Sequence, residues 1–149
     1  MIADLADLLV AALNAETFSE SFTAERRAIP RFNLEELKDL TVTVVPRTLE
    51  TTMLTRKHDM HQIALDIAVQ KKVESDDNDE LDSLLNLVQE IADAVNRTDL
   101  GGAKWIKTEN DPIYAPDHLH EKRVFTSVLT LTYSVVRDAG TLAATGTGT

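Results

Sequence analysis

Arg123-Val124-Phe125-Thr126-Ser127-Val128-Leu129-Thr130-Leu131-Thr132-Tyr133-Ser134-Val135-Val136-Arg137 is an unbroken run of β-branched, aromatic and hydroxyl residues near the end of a 149-residue chain. Such residues suit a pleated surface, and a long C-terminal strand follows. At ~3.3 Å per residue this strand reaches about 45 Å or more, whereas a compact globule of this length is about 38 Å across. The strand must bend or leave the globule. A small body that keeps it is expected to share its sheet or its surface with neighbours. The run is approached through Asn110-Asp111-Pro112-Ile113-Tyr114-Ala115-Pro116, a turn-rich loop punctuated by two prolines.

Upstream, the period of two is cleaner. Ile63, Leu65, Ile67, Val69 and Val73 fall on one face, broken only by Lys71, and Gln62, Asp66, Gln70 and Lys72 fall on the other. That pattern predicts a half-buried antiparallel strand. Thr41 to Arg47 reads as its partner, with Val42 and Val44 on one face. The polar stretch Leu49 to Met60 between them predicts a long hairpin loop of about a dozen residues, against the roughly two to five usual in hairpins. Long loops are often functional, so this one is a candidate contact arm carrying Met53, Leu54, Arg56 and Lys57.

Helical spacing appears twice. Ile2, Leu5, Ala6, Leu9, Ala12 and Leu13 recur at three and four, and so do Leu81, Leu84, Leu85, Val88, Ile91, Ala92 and Val95. Asp77, Asn78 or Asp79 caps the second helix, and Gly101-Gly102 closes it. Phe18 to Phe32 alternates loosely and reads as a strand that Pro30 keeps at an edge or end. Asn33, Leu34, Leu37 and Leu40 outline a short helical turn, and Ala103 to Glu109 a further strand. Together these elements predict an α+β fold: a mainly antiparallel sheet with helices on one face, a long hairpin loop and a long C-terminal strand. Residues 1–138 form a single domain in this reading, and 139–149, rich in Gly and Thr, a flexible tail.

Composition narrows the function. With 43% hydrophobic and 27% charged residues the chain has the ordinary balance of a globular domain, and with no cysteine it has neither disulfides nor thiolate chemistry. No basic leader precedes the first helix and no segment approaches ~18 uninterrupted apolar residues, so neither a signal peptide nor a membrane span is expected. The net charge of −10 divides into −4 over residues 1–20, +2 over 21–72, −8 over 73–99 and 0 beyond. Much of the excess comes from Glu74, Asp76, Asp77, Asp79, Glu80 and Asp82, which favours a helix N-terminus and repels nucleic acid.

Chemistry is sparse. His58-x-x-His61 and His118-x-His120 lack the helical spacing of a zincin motif, and Asp111, Asp117 and Glu121 stand without a nucleophile or phosphate-binding signature. We expect no catalytic residue, cofactor or metal site. A metal-dependent hydrolase built on His118 and His120 is the alternative from another class. Arg26, Arg27, Arg47 and Arg56 are placed for protein contacts, with Trp105 and Tyr114 as aromatic anchors. A mildly basic half and an acidic helical edge on one small domain favour head-to-tail association.

Taken in order, several segments resemble small proteins of tailed-bacteriophage structural gene clusters. They are Phe22-Thr23-Ala24-Glu25-Arg26-Arg27, Thr41-Val42-Thr43-Val44-Val45-Pro46-Arg47, Ile63 to Lys72, the Leu81 to Val95 helix, Asn110-Asp111-Pro112-Ile113-Tyr114 and Arg123 to Tyr133. In layout the chain is most similar to the tail terminators of long-tailed phages. The resemblance implies a structural virion protein that is not an enzyme. It would form a ring, commonly a hexamer, that caps the tail tube protein and meets the head connector protein. DNA would pass through the lumen without specific binding, and the protein would be located in the tail or neck of the virion. A head-completion or connector protein of the same neck is the nearest alternative.

Overall fold

The computed structural model describes residues 1–28, 38–73, 78–111 and 113–139, with the backbone alone at 118, 121 and 122. Helix α1 (Ile2–Ala15) leads through a short strand β1 (Ala24–Arg26) to β2 (Thr41–Met53) and β3 (His58–Lys72). Helix α2 (Asn78–Val95), strand β4 (Lys104–Asn110), a short helix α3 (Pro116–Lys122) and strand β5 (Val124–Asp138) complete the chain. The fold is α+β, on a five-stranded mixed sheet in the order β1-β2-β3-β5-β4. Only the β1–β2 pair is parallel; the others are antiparallel.

Register places the apolar stripes of three strands together. Val44 lies opposite Ile67, Ile67 opposite Leu129, Leu65 opposite Leu131 and Ile63 opposite Tyr133, so these side chains share one face. They belong to one buried cluster with Leu5, Leu9 and Leu13 of α1 and Leu84, Leu87, Val88 and Ile91 of α2. Each such aliphatic side chain contributes about 1.5–3 kcal/mol when fully buried, which is why the stripes fix the register. The sheet is not open on its other face throughout. Ile67, Ala68, Val69 and Gln70 are all fully buried in succession, so the strand expected to be half-buried is enclosed on both sides there. Thr43 and Thr126 are buried on the second face as well, at the end where α3 packs on β5.

Four expectations need correction. The long hairpin loop does not exist. Strand β2 continues to Met53 and β3 begins at His58, leaving a four-residue turn, Leu54 to Lys57. The polar stretch pairs residue by residue, from Thr48 opposite Ala64 to Met53 opposite Asp59. It looks like loop because its side chains are solvated on a projecting hairpin, not because its backbone is irregular.

The second correction concerns the end of α2. The helix stops at Val95, and Arg97 takes the left-handed conformation (φ 59°) that terminates many helices, with the Thr98 N–H donating to the Val95 carbonyl at 3.2 Å. Gly101 (φ 57°) instead makes the tight turn of the Leu100–Ala103 bridge that leads into β4. Third, Pro116 begins a helix where a loop is expected. Its missing N–H costs nothing at a first helical position. Fourth, of the strand expected over Phe18 to Phe32, residues 18–28 are described, and among them Ala24–Arg26 alone is β. Phe18 and Phe22 stack at 5.3 Å and pack on the core. Pro30, Asn33, Leu34, Leu37, the acidic run Glu74 to Asp77, Pro112 and the tail from Gly140 lie outside the described residues.

Candidate interaction surface

The anomaly of length resolves into a projection. β3 and β5 pair over fifteen residues each, from Lys72 opposite Val124 to His58 opposite Asp138, and β2 follows β3 to the same end. Helix cover ends near the row Leu49–Ile63–Tyr133. Ile63 and Tyr133 are fully buried, whereas Leu49 is 47% exposed. Beyond that row every described residue of β2 is exposed, through Met53 at 78% and Leu54 at 54%. On β5, Val136 is 53% exposed. The result is a three-stranded tongue about 13 Å long past the last covered row, counting four residues at ~3.3 Å.

Hydroxyl and imidazole groups stiffen this tongue. The Leu54 and Thr55 N–H groups both donate to the His58 carbonyl at 3.0 Å, and the Thr55 hydroxyl accepts from the N–H groups of Lys57 (3.2 Å) and His58 (3.0 Å). Thr51 Oγ1 lies 2.8 Å from His61 Nδ1 across the hairpin. The Ala139 N–H donates to the Lys57 carbonyl at 2.7 Å, so the end of β5 is tied to the turn. A defined turn therefore presents Leu54, Arg56 and Lys57, in place of a slack arm.

The other residues singled out from sequence are scattered. Arg26 pairs with Asp7 of α1 at 3.1 Å, and Arg27 pairs with Glu25 at 3.1 Å. Arg47, the extra residue where the β2–β3 register shifts, reaches Asp66 at 3.5 Å and the Thr130 hydroxyl at 3.3 Å across the open face. These arginines are exposed but engaged. Trp105 and Tyr114 are half-buried. The Trp105 indole N–H donates to Thr108 at 2.9 Å, Tyr114 stacks on buried Phe125 at 6.2 Å, and both pack against the core. They serve the fold before any interface. Met53, Leu54, Arg56 and Lys57 form one surface at the tongue tip, and Arg26, Arg27, Trp105 and Tyr114 are not part of it.

Leu49 and Thr51, inside the stretch read as a contact arm but not singled out there, share the tongue with Val136, which sequence reading did not name as a contact. The available signal was the recurrence of Thr41, Thr43, Thr48, Thr51 and Thr52 among β-formers, a strand composition that a polarity-based reading takes for loop.

Among the described side chains the histidines do not assemble. His118 and His120 lie two residues apart on α3, hence about 200° apart around a helix axis. Among the described residues no group of three or more His, Asp or Glu side chains converges on a point that suits a metal ion. A cavity of about 90 Å³ lies between the ends of α1 and α2, lined by Leu9, Leu13, Val95, Leu100 and Tyr133. The Tyr133 hydroxyl is buried there without a hydrogen-bond partner among the described residues, and burial, with the nearby charge of Asp99, pushes its pKa well above the ordinary phenol value. Compared with models of known protein families and with curated proteins, the chain matches none.

Proposed function

We propose that this chain is a structural subunit of a long-tailed bacteriophage, a tail terminator whose copies close into a ring, commonly of six, on the end of the tail tube. The observation that carries the reading is the tongue. Three strands continue past the helix-covered core and expose Leu49, Met53, Leu54 and Val136, apolar area that has no use in an isolated subunit. A stiff projection at one end of a small domain suits a head-to-tail contact, in which each copy lays its tongue on the next until the rotation closes. Arg56 and Lys57 in the turn and the acidic first turn of α2, with Asp79 and Glu80, supply opposite charges to orient it. The tail tube protein and the head connector protein are the neighbours above and below, and DNA passes through the lumen without specific contact, repelled by acidic surface. A head-completion or connector protein of the same neck would share these features.

Electron micrographs of the concentrated chain, alone and with tail tubes, test the reading. Annular particles with an open centre are expected. Particles that stay compact at every concentration, and tubes that stay uncapped, would overturn it.

A further inference from the structure

The two edges of the sheet are not equally protected. On β4 the outer edge is interrupted by a register shift between Trp105 and Lys107, and the Trp105 N–H is taken by the Asp99 carboxylate at 3.0 Å. Both devices discourage strand addition. On β2 the outer edge is covered by β1 only as far as Val44, whose carbonyl accepts the Arg27 N–H at 3.0 Å. Pro46 follows on the same side and offers no donor. Past the register shift at Arg47, the Leu54 N–H points inward to His58, so by alternation Leu49, Thr51 and Met53 turn their N–H and C=O groups outward. Among the described residues no strand pairs with them. The stretch Thr48–Met53 holds no Lys, no Pro and no bulge, which is how an edge looks when a strand is meant to add to it.

Self-complementarity names the occupant. We propose that two free copies of this chain join their Thr48–Met53 edges, antiparallel, about a two-fold axis through Thr51. In that register Leu49 faces the partner's Met53 and Thr51 faces its own copy, apolar on apolar and hydroxyl on hydroxyl, both favourable cross-strand pairs. Glu50 faces the partner's Thr52, so no like charges are directly opposed. The three outward residues of each copy exchange about six backbone hydrogen bonds. At the far end the partner's turn comes beside a groove of about 390 Å³ that Arg26, Arg27, Ala28 and Pro46 line among the described residues. The two arginines there are already paired with Asp7 and Glu25. This dimer stands independently of the ring reading. If both hold, the tongue cannot serve both contacts at once, and the dimer is the form of the free subunit that ring assembly replaces.

The absence of cysteine makes the test direct. Thr51→Cys places two thiols across the axis with Cα atoms about 5.5 Å apart, within disulfide range. Under mild oxidation at low micromolar concentration it is expected to run at twice the 16.5 kDa of one chain on a non-reducing gel, while Thr108→Cys on β4 stays single. Thr51→Pro removes an outward N–H from each copy, no backbone bond to β3 and, toward β3, only the exposed side-chain hydrogen bond to His61, which Thr51→Val removes as a control. Thr51→Pro is expected to weaken dimerisation about 10-fold or more relative to Thr51→Val in sedimentation equilibrium, with the melting temperature of that control. A Thr51→Cys variant that does not crosslink, an undiminished dimer in Thr51→Pro, or mixed crosslinking between Thr51→Cys and Thr108→Cys chains would each overturn the two-fold pairing. The crosslink reports the dimer whether or not annular particles form, so failure of either idea is seen separately.

Discussion

Removing an oxygen atom from the core should stabilise this protein. Tyr133 is fully buried opposite Ile63 and Trp105, and its hydroxyl has no hydrogen-bond partner among the described residues. An unpartnered buried hydroxyl costs about 1–3 kcal/mol, and Tyr133→Phe removes it while keeping the ring that fills the site. The variant is expected to gain about 1–2 kcal/mol at pH 7, or roughly 2–8 °C in Tm for a chain of this size. The pH dependence sharpens the test. In the unfolded chain the phenol ionises near its ordinary 10.0, whereas burial and the charge of Asp99 hold it protonated in the folded state to higher pH. Above pH 10 the unfolded state therefore binds fewer protons than the folded one, and this tyrosine subtracts stability by up to about 1.4 kcal/mol per pH unit. Tyr133→Phe lacks that slope. Urea melts of both proteins at pH 7, 10 and 11 should show a gap that is positive at pH 7 and widens above pH 10. A variant less stable than the parent at pH 7 would mean that the hydroxyl is satisfied, and a gap constant with pH would mean that it is not sequestered.

Other substitutions probe the remaining parts of the structure. Leu65→Asp puts an unpaired carboxylate into the fully buried stripe of β3 and should abolish folding at neutral pH by circular dichroism; a folded variant would place the strand one residue out of register. Arg97→Gly should add about 0.5–1 kcal/mol in thermal melts, because glycine adopts the left-handed conformation at the end of α2 without strain. Arg56→Glu with Lys57→Glu should leave the melting temperature within about 1 °C, since exposed turn charges contribute little to folding, yet prevent annular particles from forming. Unaltered assembly would remove the turn from the contact.

Legibility from sequence followed burial. The stripe Ile63, Leu65, Ile67, Val69 announces β3 and its inward face because each of these side chains is in the core, and the same holds for Leu84, Val88, Ile91 and Val95 of α2. Leu87, fully buried yet outside the stripe as read, shows that α2 is covered over a wider arc than its strict repeat suggests. Where nothing covers a strand, periodicity says little. Thr48 to Met53 is as regular in backbone as the rest of β2, but both its faces meet solvent, so no apolar alternation marks it. Gln70 misleads in the opposite direction, polar by type and fully buried in place. Short elements escape for a different reason: α3 spans seven residues, two turns, too few for a helical period to declare itself. The site was legible only in part. Met53, Leu54, Arg56 and Lys57 do share a surface, but as the tip of a rigid hairpin. Trp105 and Tyr114 carry the composition of interface anchors and are used by the core.

Imaging the assembled particle bears most directly on the central proposal. Electron microscopy of the full chain at increasing concentration, with class averages resolved to the subunit, should give a closed annulus with an open centre and the Leu54 to Lys57 turn of each copy seated on its neighbour. Compact one- or two-subunit particles throughout, or an annulus whose tongues point into solvent, would contradict it.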